Sequence, residues 1–207
     1  MAEAIHLYNI LPYNFLNTGV ASAFCNLFDG HLCDFVMSIF ADADPAIDNT
    51  DRYDVYMSNL PGGAGYKNIV HYGQLIAHDV ECFLRYDHGE KENQARYGQK
   101  TPPSYDMSLI DFPIAILSGS GDKLADPQDV KWTSEQLAHT LIFNHEYYMG
   151  HMSFAIGKDM SWFSVDCMAM LNHYNQRCDR STLGSKFEVG NEKCEAIFQQ
   201  EQEMFLY

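Results

Sequence analysis

The sequence is short of basic side chains. Its 207 residues include 13 Lys and Arg against 28 Asp and Glu, which gives a formal net charge of -15 at pH 7. A chain this acidic repels phosphate backbones and anionic lipid headgroups, so we expect no nucleic-acid partner. Its first basic residue is Arg52. A secretory signal needs a basic n-region and a mitochondrial presequence needs Arg without acids, so the N-terminal segment predicts neither.

Cysteine pairs, long apolar runs and glycosylation sequons are also lacking. None of the 6 cysteines belongs to a Cys-x-x-Cys pair, so we predict no zinc site, and no other metal ion or cofactor is expected. The most apolar early stretch, residues 24–41, is interrupted by Asp and His side chains. It therefore falls short of the roughly 18 unbroken apolar residues that a membrane span requires. The sequence has no Asn-x-Ser/Thr, and together these absences favour an intracellular location, organelles included.

Apolar and aromatic residues are abundant instead. Hydrophobic residues make up 46% of the chain and aromatic residues 14%, which is enough apolar surface to offset chain entropy, so a folded protein is predicted. In the first 106 residues the apolar positions mainly follow helical spacing. We predict helices over 24–39, 52–60 and 68–82, a loop over 42–50 and a long surface connection over 85–106.

The hydrophobic period changes after residue 106. A short apolar run at 112–117 ends in Ser-Gly-Ser-Gly at 118–121, as a buried parallel strand does when its carboxyl end opens into a loop. Asp126 and the proline after it predict the start of a helix. A second strand is predicted at 141–143 and a helix at 161–175. Strand, helix, strand and helix in this order predict an α/β fold with a parallel sheet.

Two strands are too few for such a sheet, because parallel sheets are covered on both faces and commonly have five or more strands. We therefore expect a partner chain to complete the sheet, and the chain on its own to aggregate. A further amphipathic helix is predicted within 177–207, where the apolar stripe Cys194, Ile197, Phe198 and Phe205 is expected to dock on that partner.

Two residues of this region could carry chemistry together. Asp122 follows the first predicted strand and His151 follows the second, so both fall at carboxyl ends of parallel strands, where α/β sheets place ligands. An acid that orients a histidine, so that the imidazole can take a proton from a hydroxyl nucleophile, needs these two residue types on adjacent loops. Spacing alone leaves open that Asp122 is a turn acid and His151 a surface residue.

Several segments of the chain resemble the acid lipases, the gastric and lysosomal branch of the α/β-hydrolases. The most specific is Gly-Asp-Lys-Leu-Ala-Asp-Pro-Gln-Asp-Val at 121–130, and 52–63, 68–74 and 97–106 are also similar. The resemblance covers about residues 11 to 175. It implies that Asp122 is the acid and His151 the base of a catalytic triad.

The same resemblance implies a partial α/β-hydrolase fold. It comprises a helical lid and the last two parallel strands with their flanking helices. We divide the chain into a lid-like or cap-like region at 1–106, a C-terminal α/β-hydrolase portion at 107–176 and a helical extension for partner contact at 177–207. Cys25 and Cys33 match a family disulfide in approximate place, and in an intracellular chain we expect both thiols to be reduced.

The family carries its nucleophile on a Gly-x-Ser-x-Gly elbow, and these 207 residues contain no such motif. Without a nucleophile the histidine has nothing to activate. Two functions follow as hypotheses. The chain is either the C-terminal half of a split lipid ester hydrolase whose serine lies on another chain, or a catalytically inactive structural subunit of a larger assembly. Ser118 or Ser120 as the nucleophile of an autonomous esterase is the least favoured alternative.

Overall fold

The computed structural model describes residues 9–10, 19, 42, 44, 46–57, 62–78, 82–175, 177–178, 185–187, 194–197 and 199. The strands are β1 (Asn9–Ile10), β2 (Ala64–Gly65), β3 (Ile114–Gly119) and β4 (Leu141–Tyr147). The α-helices are α1 (Tyr53–Met57), α2 (Tyr66–Ile76), α3 (Glu90–Tyr97), α4 (Pro127–Gln136), α5 (Ser153–Ile156) and α6 (Met168–Tyr174). Thr50–Arg52 and Met107–Leu109 form 3-10 turns, and Trp162–Cys167 forms a π-helix.

The predicted parallel arrangement is confirmed in β3 and β4, which pair in parallel with α4 as the crossover. Ile114 pairs with Leu141 and Gly119 with Tyr147, with one irregularity after Ile114. Both strands extend further toward their carboxyl ends than the apolar runs indicate, because their hydrogen-bonded ladder continues through polar residues. Together with the helices, the small parallel sheet gives the α/β class that was predicted.

The start of α4 follows the local rules for a helix terminus. The Asp126 side chain accepts a hydrogen bond from the Gln128 N–H at 2.8 Å, and Pro127 occupies the first turn, where its missing N–H costs nothing. This confirms the helix start predicted from the Asp-Pro pair. The crossover is thereby fixed directly after the loop that carries Asp122.

A cluster of buried side chains holds β4 against the last helix. It consists of Phe143 from β4, Ala169 and Met170 from α6, and Phe187, with Leu117 of β3 packed against it. Ala115 of β3 is exposed although strand alternation places it on the same face as Leu117, so this face is only partly covered within the described residues.

Helix α2 is shorter than predicted. It ends at Ile76 instead of near residue 82. Residues 82–88 are not helical and contact other segments of the chain, including the end of α2 itself. The Gln74 side chain donates to the Asp87 carbonyl and accepts from the Asp87 N–H, at 2.8 and 3.0 Å. Leu84 forms an isolated antiparallel bridge with Ser104, so this stretch is extended.

The predicted surface connection at 85–106 contains a helix, so that prediction is wrong for α3. Gly89 and Gly98 bracket the helix with positive φ values of 85° and 74°, a conformation that glycine adopts at little cost. Acidic residues in the first turn and Arg96 in the last complement the helix dipole. These terminal signals were present in the sequence, but α3 has no apolar stripe that would have marked it as a helix.

The connection is held by Asn93, which is only 1% exposed. Its amide group donates to the Asp87 carboxylate at 2.7 Å and to the Lys100 carbonyl at 2.9 Å, and its oxygen accepts from the His88 N–H at 2.9 Å. The hydrogen bond from the Gly89 N–H, followed by the one from Asn93, lowers the pKa of Asp87 below its usual value. The buried amide of Asn93 thus joins residues 87–88, before α3, to residue 100, after it.

We expect Asn93→Ala to open this loop. It removes the partner of the His88 N–H and of the Lys100 carbonyl, which make half-buried hydrogen bonds to Asn93, at a cost of about 1–3 kcal/mol. Amide hydrogen exchange at His88 should therefore accelerate roughly tenfold or more, measured by mass spectrometry or NMR. Gln94→Ala is the matched control, since the Gln94 side chain is exposed on the same helix. Equal exchange rates in the two variants would contradict the assigned role of Asn93.

A disulfide joins Cys178 to Cys194 and closes a loop with a sequence separation of 16. Cys194 is buried in this bond. Ile197 of the same stripe is exposed, and the docking of this stripe on a partner chain stays a prediction. Disulfides are typical of oxidising compartments, so the bond favours an organelle or another oxidising location over a reducing cytosol. The intracellular location itself stays a prediction.

Some predictions fall outside the described residues. These are the helix at 24–39, the state of Cys25 and Cys33, the end of the helix predicted at 52–60, and the positions of Phe198 and Phe205. Among the helices of the described part of the chain, none has the length and apolar character needed to cross a bilayer.

Candidate functional site: an aspartate and a histidine at the ends of two parallel strands

Asp122 and His151 are brought together by the loops that follow β3 and β4. Backbone hydrogen bonds continue past the end of the sheet, from the Ser120 N–H to the Tyr147 carbonyl at 2.9 Å and from the Gly121 N–H to the Met149 carbonyl at 3.0 Å. The two loops therefore leave the sheet side by side. Parallel strands end at the same edge, which is why residues 29 positions apart in sequence meet here.

Glycine at position 119 makes this close approach possible. A Cβ atom there would overlap the Met149 carbonyl oxygen and lie 3.2 Å from the Phe154 ring. Any other residue would push the loop after β3 away from the loop after β4. Gly119 thus sets the spacing between the acid loop, residues 119–125, and the histidine loop, residues 148–153.

The Asp122 carboxylate binds the imidazole directly. His151 Nδ1 lies 3.0 Å from Asp122 Oδ2, which confirms the predicted contact. The other carboxylate oxygen accepts the Leu124 and Ala125 N–H groups at 2.9 and 2.7 Å. Asp122 is buried, whereas 45% of the His151 side chain is exposed. The acid is therefore fixed in its own loop while the imidazole remains accessible.

The histidine loop is stabilised by Ser153. The Gly150 N–H donates to the Ser153 hydroxyl at 3.1 Å, and the Ser153 N–H donates to the Gly150 carbonyl at 3.2 Å. Ser153 is completely buried. This reciprocal pair encloses His151 in a tight turn at the start of α5. Sequence reasoning predicted no role for Ser153, whose hydroxyl accepts the backbone N–H of the residue three positions earlier.

A second buried carboxylate anchors the end of β4. The Tyr147 hydroxyl donates to Asp166 Oδ2 at 2.7 Å, and the Lys186 N–H donates to Asp166 Oδ1 at 2.6 Å. Burial and then this hydrogen bond to the carboxylate raise the pKa of Tyr147 above its usual value of 10.0. The Lys186 ammonium lies 4.2 Å from the centroid of the Tyr147 ring. The network fixes the strand four residues before His151.

The histidines near α2 have structural contacts instead. His71 Nε2 is 2.8 Å from the Leu84 carbonyl, and the His88 ring lies between the rings of Tyr86 and Tyr97. In the described ranges, no group of three His, Cys, Asp or Glu side chains is arranged to hold a metal ion.

Burial raises the pKa of the free Cys167 thiol. We find Asp122 with His151 to be the pair whose geometry fits acid–base chemistry.

The chain is similar in sequence to known lipases. It is 33% identical to rat gastric triacylglycerol lipase over 129 residues, which are 62% of this chain and 32% of that protein. It is 32% identical to human gastric triacylglycerol lipase over 154 residues, 72% of this chain and 37% of that protein. Human lipase member J is 31% identical over 172 residues, 81% of this chain and 42% of that protein. No protein-family model matches the chain.

These matches cover most of the chain but only part of each relative. The chain spans between about a third and two-fifths of the length of the curated relatives it matches. The three matches agree with the acid lipase resemblance found in the sequence. The resemblance is therefore confirmed, and this chain carries a sequence similar to the C-terminal portion of the gastric and lysosomal type of acid lipase.

Proposed function

We propose that this chain supplies the acid and the base of a lipase-like carboxylic ester hydrolase, and that a separate chain supplies the serine. The observation that carries the proposal is the 3.0 Å contact between His151 Nδ1 and the buried Asp122 carboxylate. The substrate class is a lipid acyl ester, in keeping with the triacylglycerol lipases among its relatives.

The contact selects the tautomer that such chemistry needs. With Nδ1 donating its proton to Asp122, the lone pair of His151 lies on Nε2, where it can take the proton of a serine hydroxyl. The carboxylate also stabilises the imidazolium that forms when the proton is taken. His151 then returns the proton to the leaving alcohol, and in the second half of the cycle it activates water in the same way.

Exposed apolar side chains support completion by another chain. Within the described residues, β3 pairs with β4 alone, although parallel sheets are normally covered and paired on both sides. Large apolar residues precede β3 without cover, since Leu109 is 76% and Phe112 58% exposed. A partner that adds parallel strands beside β3 would bury this surface. It would also place a Gly-x-Ser-x-Gly turn at the strand ends that carry Asp122 and His151.

The predicted regions take roles in this proposal. Residues 1–106 are the lid-like or cap-like region, 107–176 the C-terminal α/β-hydrolase portion, and 177–207 an extension toward the partner. The partner is a protein chain with the N-terminal α/β-hydrolase half, alone or within a larger multisubunit assembly. The Cys178–Cys194 disulfide ties the described part of the extension back to the end of α6.

The test is to isolate the tagged chain with its natural partners and treat the assembly with a fluorescent serine-directed phosphonate. We expect the label on a polypeptide other than this chain, and hydrolysis of a short-chain aryl ester by the same assembly. His151→Ala should abolish both. His139→Ala is the matched control, because His139 is exposed and bonded to the Ile110 carbonyl. The chain purified alone should aggregate.

Three outcomes would overturn the proposal. Label on this chain would show that it carries its own nucleophile. An assembly without label or hydrolysis would indicate the inactive structural subunit instead. Full activity in the His151→Ala assembly would show that the labelled serine has another base, which would leave the Asp122–His151 pair without a catalytic role.

A further inference from the structure

Asp42 has an unusual backbone conformation beside the candidate site. Its φ of 51° lies in the left-handed region, and it is the one non-glycine residue with positive φ in the described part of the chain. Such a conformation costs of order 1–3 kcal/mol and persists when surrounding contacts hold it. Asp42 lies 81 positions before Lys123 in sequence, so its contacts near the acid loop are long-range.

The Asp42 side chain is buried against the acid loop. Its Oδ2 accepts the Lys123 N–H at 2.6 Å, and its Oδ1 lies 3.3 Å from the Lys123 ammonium. Only 5% of the Asp42 side chain is exposed, while 82% of the Lys123 side chain is. The exposed ammonium adds little net attraction, so the short hydrogen bond to the backbone N–H is the contact that fixes the loop.

This hydrogen bond completes a set of three. The consecutive N–H groups of residues 123, 124 and 125 all donate to carboxylates. Asp122 accepts the N–H groups of Leu124 and Ala125, and Asp42 accepts that of Lys123. The peptide between Asp122 and Lys123 is therefore held from outside the loop, directly beside the carboxylate that binds His151.

Asp42 also contacts the histidine loop. A Cβ atom on Gly150 would overlap the Asp42 carbonyl oxygen and lie 3.0 Å from its Cβ. Glycine at this position lets the Asp42 backbone approach the residue before His151. Asp42 consequently touches the neighbour of each member of the pair, Lys123 on one side and Gly150 on the other.

We propose that Asp42 is a positioning residue that sets the distance between the Asp122 carboxylate and the His151 imidazole. It acts through the Lys123 N–H on the acid loop and through the Gly150 backbone on the histidine loop. Removing the Asp42 carboxylate frees the peptide between Asp122 and Lys123. We expect the Asp122 carboxylate then to move away from His151 Nδ1. The catalytic meaning of this role rests on the proposed function, whereas the positioning itself is a property of this chain.

The test detects the hydrogen bond between His151 and Asp122 by NMR and does not require catalysis. The chain is labelled with 15N-histidine and incorporated in the natural assembly. The His151 Nδ1 proton resonance then reports the hydrogen bond, and the 15N shifts report the tautomer. In Asp42→Ala, the slowly exchanging Nδ1 proton signal should disappear. The 15N shifts should then report a mixture of the two His151 tautomers instead of one. Asp42→Asn should retain the proton signal and the single tautomer, because its amide oxygen can still accept the Lys123 N–H.

Two further variants keep the test decisive. Gly150→Ala adds the overlapping Cβ and should give the same loss from the other loop, even if Asp42→Ala fails to fold. Asp42 and Asp44 both line a cavity of about 310 Å³ between the two loops. Asp44→Asn removes a neighbouring charge at this cavity and should leave the signal unchanged. A wild-type signal in Asp42→Ala or in Gly150→Ala would overturn the proposal, as would its loss in Asp44→Asn. An assembly that contains no reactive serine would refute the proposed function and leave this result intact.

Discussion

Replacing Asp122 with asparagine is expected to lower kcat of the completed ester hydrolase about 10⁴-fold, as the same acid-to-amide change does in serine triads. The amide preserves size and can keep the two loop hydrogen bonds, but it can donate to Nδ1 and so favours the wrong tautomer of His151. It also removes the charge that stabilises the imidazolium. The measurement is the hydrolysis of a short-chain aryl ester by the assembly, at saturating substrate.

Asp126→Asn is the matched control for this loss. It makes the same change of charge four residues away, and asparagine is as good an N-cap as aspartate, so α4 should keep its start. We expect kcat within about twofold of the unchanged protein, since Asp126 contacts the Gln128 N–H and not the histidine loop. An Asp122→Asn assembly that retained a tenth of the activity would show that His151 does not depend on this carboxylate.

The sequence predicted those elements whose causes are local. The start of α4 was predictable because Asp126 and Pro127 satisfy helix-terminus rules within three residues. The parallel pairing was predictable because a helix between two apolar runs leaves few other arrangements. The exact ends of β3 were not, since its last residues are fixed by register with β4 and not by their own hydrophobicity. The π-helix at Trp162–Cys167 has no marker in the hydrophobic pattern either.

The contact between Asp122 and His151 could be predicted for a similar reason. Each residue directly follows a strand, and neighbouring parallel strands end at one edge, so two local observations determine one long-range contact. No such rule applies to Asp42, because its position beside Lys123 depends on the path of the chain across 81 residues. The role of Asp166 could not be predicted either. An acid within an apolar helix pattern gives no sequence signal for its burial or for its hydrogen-bond partner.

The largest expected loss of stability comes from Tyr147→Phe. The variant leaves Asp166 buried without the hydroxyl that donates to it at 2.7 Å. Asp166 keeps the Lys186 N–H on Oδ1, and the Lys186 ammonium remains 3.8 Å from Oδ2. Losing one hydrogen bond to a charged group costs about 1.5–3 kcal/mol, which corresponds to a decrease in Tm of about 3–12 °C for a chain of this length. Tyr148→Phe is the matched control next to it, because Tyr148 is 79% exposed, and its Tm should stay within about 1 °C.

The same contact predicts how stability depends on alkaline pH. Burial and the Asp166 carboxylate raise the pKa of Tyr147 in the folded state, so its contribution is complete below the unfolded value of about 10 and is lost as the pH rises through the folded value. Thermal unfolding of the assembly at a series of pH values should therefore show the Tm difference between Tyr147→Phe and the unchanged protein narrowing above about pH 10. A difference that stayed constant across that range would mean that Tyr147 ionises as freely in the folded protein as in the unfolded chain, and that the buried bond to Asp166 does not hold its proton.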